Sequence, residues 1–461
     1  MTQGANLLQE IAAVVGPDNL LQGAAAKRRE QPWKTGQPFR AKALVRPQTT
    51  AQVAEVMRLC NACGQTVVPY GGLTNLVQAC ATVPDDIALS LEKLDRIEEV
   101  DATAHTMTAG AGVTMQQAQD AADKAGLFFP VDIGARGNCM LGGNVSTNAG
   151  GTKVIRYGMM RDSVLGLEAV LADGTVISSM NRYIKNNSGF DLKHLFIGTE
   201  GLLGIVTRVV VRLSVRPVSH NVALVGCRDF AGVMQVLGSA RQALGSSLCG
   251  FEVMWSSFYD KATQPVGRLE SPLSERFPLY AIVEAMGTNA ARDDDIFSDA
   301  LSSMAAADLI EDGVLAKSER ERDAIWAIRG EVEWLVRDAQ NFDVSLKCAD
   351  VGSYVDDVGA RIRRDVPGAL VAAFGHLGDN NIHISVLSDR QDDHVRATIE
   401  AHVYNALRPF DGAISAEHGI GLEKIPWLPI SRSEDEIRLM RSLKKMMDPK
   451  NILNPGKVIG A

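Results

Sequence analysis

The chain has no basic stripe and no apolar run of the roughly 18 to 20 residues that would span a bilayer. Its formal net charge is −8, whereas a nucleic-acid partner calls for a positive footprint. No charge run or basic amphipathic helix marks it for a membrane surface. The seven cysteines are scattered, without paired metal-type spacing or the even count of a disulfide framework, so reduced thiols in a reducing compartment are expected. Cys60 and Cys63 end a helical pattern instead of opening a helix after a strand, which argues against a redox pair. A basic, apolar, cleavable leader and an Arg-rich start are also missing, so neither export nor organelle import is signalled and a cytoplasmic location is expected. Aromatic residues are scarce, at 5%.

Glycine, by contrast, is abundant, at 42 of 461 residues, as suits a chain of tight backbone turns. The length exceeds one hydrophobic core and predicts two or three domains. Residues 1–39 read as an N-terminal helical segment with a polar loop around Gln31-Pro32-Trp33. A short strand at Leu44-Val45 precedes a helix capped by Thr49 and stopped by Gly64. Thr66 to Pro69 is a strand, and further strands are expected at Ile87–Leu91, Thr106–Ala109 and Gly201–Leu213. Val164–Ala172 and Thr175–Ile177 form a hairpin through Asp173-Gly174. The texture changes near residue 217. Helices near 229–244, 293–310 and 318–339 then alternate with strands, including one at 279–284. The division is 40–217, 218–432 and a returning segment at 433–461.

Two glycine-rich blocks carry the first chemistry. Pro69-Tyr70-Gly71-Gly72-Leu73-Thr74-Asn75 follows a strand, and paired glycines let backbone N–H groups converge on an anion without a Cβ in the way. Pro130-Val131-Asp132-Ile133-Gly134 and Gly142-Gly143-Asn144-Val145-Ser146-Thr147-Asn148-Ala149-Gly150-Gly151 supply a second wall of backbone donors and small polar side chains, suited to a flat ring and a pyrophosphate. Gly110-Ala111-Gly112 opens a G-x-G-x-x-G pattern, but Met115 stands where its third glycine belongs, which disfavours a Rossmann unit.

These blocks resemble the FAD-binding domain of the vanillyl-alcohol oxidase/p-cresol methylhydroxylase (PCMH) family. The resemblance extends through Gly198-Thr199-Glu200-Gly201, Gly204-Ile205-Val206-Thr207 and Asn454-Pro455-Gly456-Lys457. It implies an α+β architecture: a two-subdomain PCMH-type FAD-binding domain, then an α/β FAD-linked oxidase C-terminal domain with an antiparallel sheet that takes substrate. It also implies that both glycine blocks, with Glu200, Gly204, Ile205, Val206 and Asn454, hold FAD. Some members attach FAD through a histidine in the first loop. Residues 69–77 contain none, so the FAD is expected to be non-covalent unless His105 or His194 serves.

Only eight histidines occur, and three fall in two motifs. Phe374-Gly375-His376-Leu377-Gly378-Asp379-Asn380-Asn381-Ile382-His383 sets two imidazoles about a tight turn. Ser415-Ala416-Glu417-His418-Gly419-Ile420-Gly421 adds an adjacent carboxylate and imidazole among small residues. Two histidines and a carboxylate suit a divalent metal with open positions for a 2-hydroxy acid. His376, His383 and Glu417 are the expected ligands, with zinc favoured over manganese or cobalt, and His418 the base. The second half is similar to the FAD-linked oxidases that include D-2-hydroxyglutarate dehydrogenase, D-lactate dehydrogenase and the glycolate oxidase D subunit. That resemblance implies FAD-dependent oxidation of a D-2-hydroxy acid, with Arg329 and Asn381 on the substrate and a quinone or electron-transfer flavoprotein as acceptor. A homodimer is compatible with it. Glu333 and Asn341 depart from those relatives, where a Thr or Ser and a Lys stand, which weakens recognition of a second carboxylate. Lys347 is a substitute candidate, with a plain surface lysine the alternative. The rivals are an alcohol or glycolate oxidase of the same fold and an FAD-bearing electron-transfer subunit of a larger complex.

Overall fold

A computed structural model describes residues 3–27, 39–263, 269–390 and 392–460. The polar loop expected at 31–33 lies outside them. The chain forms two compact units. One comprises Met1–Gly151, Gly158–Arg216 and Glu417–Ala461, the other Thr152–Tyr157 and Pro217–Ala416. The return to the first unit therefore begins at Glu417, ahead of the start expected at 433.

In the first unit, a four-stranded sheet runs in the order Leu20–Leu21, Ala43–Val45, Ile87–Ser90, Val67–Tyr70. Its last three strands are parallel, and buried on both faces they read as short apolar runs. The helix Thr50–Cys63 covers it. Thr49 accepts from Gln52 N–H at the start, and Gly64, in the left-handed region, stops it. Cys60 lies on the buried face of this helix, where burial pushes its thiol up to about 12, an inert core thiol. An antiparallel sheet of five strands follows, in the order Ile97–Asp101, Thr106–Gly110, Ile205–Arg212, Val164–Val170, Val176–Ser179. Its last pair is the hairpin expected at Asp173-Gly174, with Gly174 at φ 87°. The strand expected from Gly201 starts only at Ile205, because Gly198, Glu200 and Gly201 all have positive φ and turn the chain. Gly110 and Gly112 serve close packing: a Cβ at either would lie 2.1 or 2.2 Å from the Leu94 or Leu91 carbonyl oxygen.

The second unit is built on seven antiparallel strands, in the order Asp312–Leu315, Ser219–Cys227, Leu279–Gly287, Leu248–Trp255, Leu370–Gly375, Asn381–Leu387, Gln340–Ser345. The helix expected over 318–339 is two, Glu319–Gly330 and Glu333–Asp338. Gly330 is a weak helix former, and Glu331 leaves helical geometry at ψ 71°. Arg329 thus stands in the last turn of the first of them.

Register places a row of polar side chains on one face of this sheet. Val222 pairs with Glu284, Glu284 with Gly250, Met254 with Phe374, Phe374 with His383 and His383 with Asp343. Side chains directly opposite share a face, and so do those two residues apart. His220, Glu284, Glu252, His383, Asp343 and Asn381 therefore line up beside an apolar core of Val222, Leu224, Met254, Tyr280, Ile282 and Phe374. Glu284 is fully buried; Lys153 Nζ donates to it at 2.6 Å, and His220 Nε2 lies 2.5 Å from its other oxygen. Gly250 leaves room for this carboxylate, since a Cβ there would lie 2.8 Å from Glu284 Oε2.

Burial alone would raise the Glu284 carboxyl, but Lys153 and His220 hold it below its ordinary 4.5. A lowered folded-state value means that the unfolded chain binds the proton more readily. The stabilisation is then complete above 4.5 and lost as the pH falls further. Glu284→Gln should cost about 3–5 kcal/mol near neutral pH by leaving Lys153 buried without its counter-charge. It should also flatten the fall of Tm below pH 4.5. Thermal unfolding across that range reads both effects.

Candidate active site

The glycine blocks of the first unit converge. A Cβ on Gly71 would stand 3.6 Å from Gly143 Cα, and one on Gly72 would run into the Asn138 carbonyl oxygen at 2.0 Å. Gly151 bridges to Asp132, leaving only 1.9 Å between a Cβ and the Asp132 carbonyl oxygen. At Gly143 the Cβ direction is open, with nothing within 4 Å. The second block contains a short helix, Leu141–Thr147. The Ser146 and Thr147 hydroxyls donate back to the carbonyls of Gly142 and Gly143, so they serve the helix. Asn144 is buried, its amide 3.5 Å from Cys139 Sγ, and Asn148 Oδ1 accepts from Arg161 N–H. Ser146, Thr147 and Asn148 stay half-buried, with Gly143 beside them.

Glu200 ties four separate segments together. Its N–H donates to the Ser146 carbonyl at 2.8 Å, and its own carbonyl accepts from Asn454 Nδ2 at 2.8 Å. Its carboxylate accepts from Ile420 N–H at 2.6 Å and Gly421 N–H at 3.0 Å. Burial pushes the Glu200 carboxyl up, against the pull of these N–H groups and of Lys424 and Lys457. Gly201 packs on the Pro69 ring, while Ile205 and Val206 lie in the core and Gly204 makes room for Phe196. The loop that begins at Glu417 is held at further points. Gly151 N–H donates to Glu417 Oε1 at 2.8 Å, Asn75 Nδ2 reaches the His418 carbonyl at 3.5 Å, and Leu422 N–H donates to the Val77 carbonyl. Asn75 Oδ1 meanwhile accepts from Val77 and Ala79 N–H, which shapes the first glycine loop.

In the second unit, His376 ends the strand Leu370–Gly375 and His383 lies on Asn381–Leu387, with a 3₁₀ turn at Leu377–Asp379 between them. Their rings meet edge to face at 5.4 Å between centroids. His376 Nδ1 lies 2.5 Å from Glu252 Oε1, and Arg329 Nε donates to Glu252 Oε2 at 2.7 Å. Glu252 is buried on Leu248–Trp255. Burial would raise its carboxyl, but His376 and Arg329 bring it down to about 2. The Arg329 guanidinium, itself buried, stands over the Phe374 ring. Asp343 lies 3.9 Å from His383 Nδ1 and accepts from Ala416 N–H and the Ser415 hydroxyl. Asn381 is 3% exposed, and its side-chain oxygen and nitrogen have no hydrogen-bond partner among the described residues. Such an amide costs about 1–3 kcal/mol unless something binds it. Lys347 is exposed just beyond Gln340–Ser345, Asn341 is used up by Leu335 and Ala339 carbonyls and the Ser385 hydroxyl, and Glu333 is exposed.

Glu252, Glu284, Lys153, His220 and Asp343 did not emerge from the motifs. The available signal was a single acid in an otherwise apolar strand, as in Phe251-Glu252-Val253 and Val283-Glu284-Ala285, since a buried carboxylate requires a partner.

The fold and these residues define a two-domain flavoprotein oxidoreductase. Residues 41–179 match the family description "FAD binding domain", and residues 216–458 match "FAD linked oxidases, C-terminal domain". The chain is 37% identical over 423 residues to the mitochondrial D-2-hydroxyglutarate dehydrogenase of Bos taurus, covering 91% of this chain and 77% of the relative. To the mitochondrial D-2-hydroxyglutarate dehydrogenase of Danio rerio it is 36% identical over 421 residues, covering 90% and 78%. Its fold is similar to that of p-cresol methylhydroxylase solved with substrate bound, at a TM-score of 0.76 and 18% identity over 99% of this chain and 97% of the other. The chain belongs to the FAD-linked oxidase family, and it is an FAD-dependent enzyme of α+β fold. The expectation of a cytoplasmic location is corrected by these relatives, which are named as mitochondrial proteins. Reduced thiols and an acidic charge suit any reducing compartment, so composition does not separate the two. Among the described residues, no helix is long and apolar enough to cross a membrane.

Gly72→Ala should destabilise the fold by about 1–3 kcal/mol, since its methyl meets a backbone oxygen. Gly143→Ala meets nothing and should keep its Tm while losing FAD affinity. Urea unfolding and flavin titration of the two variants separate packing from cofactor approach.

Proposed function

We propose that this enzyme oxidises a D-2-hydroxy acid of the D-2-hydroxyglutarate, D-lactate or D-malate type to the 2-oxo acid, using non-covalent FAD and a divalent metal. The observation that carries the reading is a mostly buried group at the sheet: two imidazoles edge to face, a carboxylate on one of them, and the Asn381 amide without a partner among the described residues. A hydroxy acid offers the oxygens such a group takes. The names of the relatives above support the substrate class.

The open direction at Gly143 and the approach of Gly71 to it fit a flat dinucleotide held by both glycine blocks. When bound, FAD supplies the acceptor for the Cα hydride. His376, His383 and Glu417 are the residues that would hold a divalent metal, with zinc favoured, and such an ion would lower the pKa of the substrate hydroxyl. His418 takes the hydroxyl proton. Arg329 forks onto the substrate carboxylate, and the Asn381 amide binds the substrate from the same sheet face. Glu200 and Asn75 hold the backbone of the loop that carries His418, and Gly151 N–H holds the Glu417 carboxylate. Lys347 is the candidate for a second carboxylate. The proposed acceptor is a quinone or an electron-transfer flavoprotein, and the proposed assembly a homodimer.

Dye-linked flavin reduction with each of the three acids, before and after EDTA, tests the reading. At least one D-acid should bleach the flavin, EDTA should abolish this, and Zn²⁺ or Mn²⁺ should restore it. Indifference to EDTA together with no metal by elemental analysis would sink the metal assignment. His418→Ala should stay yellow yet lose reduction by about 10²–10⁴-fold, the usual worth of a general base; full activity in that variant would remove His418 from the chemistry.

A further inference from the structure

Glu252 appears in none of the motifs, yet its two oxygens are shared by His376 and Arg329, at 2.5 and 2.7 Å. It is fully buried in the strand Leu248–Trp255, and its two partners come from different elements, the end of Leu370–Gly375 and the last turn of Glu319–Gly330. We propose that Glu252 is the positioning residue of this site, fixing the His376 tautomer for metal binding and the Arg329 guanidinium for the substrate carboxylate through one carboxylate. The proposal rests on the reading that His376 holds a metal and Arg329 the substrate.

The chemistry follows from the donor inventory. A carboxylate accepts only, so Nδ1 of His376 must carry a proton when it bonds Glu252. The neutral ring then presents its lone pair at Nε2, the arrangement in which carboxylate-bound histidines ligate metals. Arg329 Nε–H is a permanent donor and needs an acceptor at the other oxygen. Both demands are met only by a group with two acceptor atoms. Aspartate in place of Glu252 keeps the charge but draws the carboxylate back by about one C–C bond (~1.5 Å), beyond simultaneous reach of both partners.

Glutamine is the sharper probe. Its single oxygen goes to the fixed charge of Arg329, which turns the NH₂ toward His376 Nδ1. That nitrogen must then accept, the ring proton moves to Nε2, and the metal lone pair is lost. Glu252→Gln should therefore weaken metal binding by about 10–100-fold while the KM for substrate, measured at saturating metal, changes less than threefold. Arg329→Met, with Glu252 intact, should show the reverse: metal affinity within threefold of wild type and a KM raised at least tenfold.

The experiment is calorimetric titration of Zn²⁺ and Mn²⁺ into chelator-treated, FAD-loaded protein, with steady-state kinetics on the same preparations. Tm and flavin content report folding. Should Glu252→Gln fail to fold, Glu252→Asp replaces it, with a loss of metal affinity of at least tenfold expected. Wild-type metal affinity in the folded Gln or Asp variant overturns the inference. A wild-type protein that takes up no metal overturns the reading beneath it as well, so the two failures are told apart by which protein fails to show the heat.

Discussion

A carboxylate inside an apolar sheet stays ionised only where cations or N–H donors meet it, and much of this structure is organised around that constraint. Glu252 and Glu284 lie on one face of the second unit's sheet among Met254, Tyr280 and Ile282. Each is closed by one cation and one imidazole: Arg329 with His376, and Lys153 with His220. Removing any partner would leave charge stranded in a low-dielectric layer, so these side chains are fixed together. The rigidity that results is what a metal or substrate site requires, because a ligand imidazole that swings freely binds weakly.

The first unit meets a different constraint. There the backbone has to come close to itself and leave room for a flat ligand, so glycines stand where a Cβ would strike a carbonyl oxygen, at Gly72 and Gly151, or enter the open direction at Gly143. Glu200 adds the same logic of a buried carboxylate satisfied by N–H donors, here those of Ile420 and Gly421. The loop bearing Glu417 and His418 is thereby fastened to the same unit as the glycine blocks, although the chain reaches it only after the whole second unit.

Features governed by neighbours in sequence were legible beforehand. The Thr49 cap and Gly64 stop, the Asp173-Gly174 hairpin and the paired histidines about a tight turn all follow from side chains within a few residues of one another. The break after Gly330 was missed because the apolar pattern runs through it while the backbone does not. The Ser146 and Thr147 hydroxyls donate to the Gly142 and Gly143 carbonyls one helical turn back, a pairing that only the folded turn sets. The partnership of Glu252 and His376 spans 124 residues, and that of Glu200 and Ile420 spans 220. No local pattern encodes such pairs.

Residue order by itself determined the class: glycines for close backbone approach, and motifs ordered as in the FAD-linked oxidases, with imidazoles and acids of the type that bind metals and move protons. Strand register and helix ends decided which acid answers which base. Two antiparallel strands must be laid side by side before Glu252 can face His376, and the helix Glu319–Gly330 must pack on the sheet before Arg329 can reach the same carboxylate. Hydrogen bonds act over about 3 Å, and only the folded chain sets distances on that scale between residues so far apart in sequence.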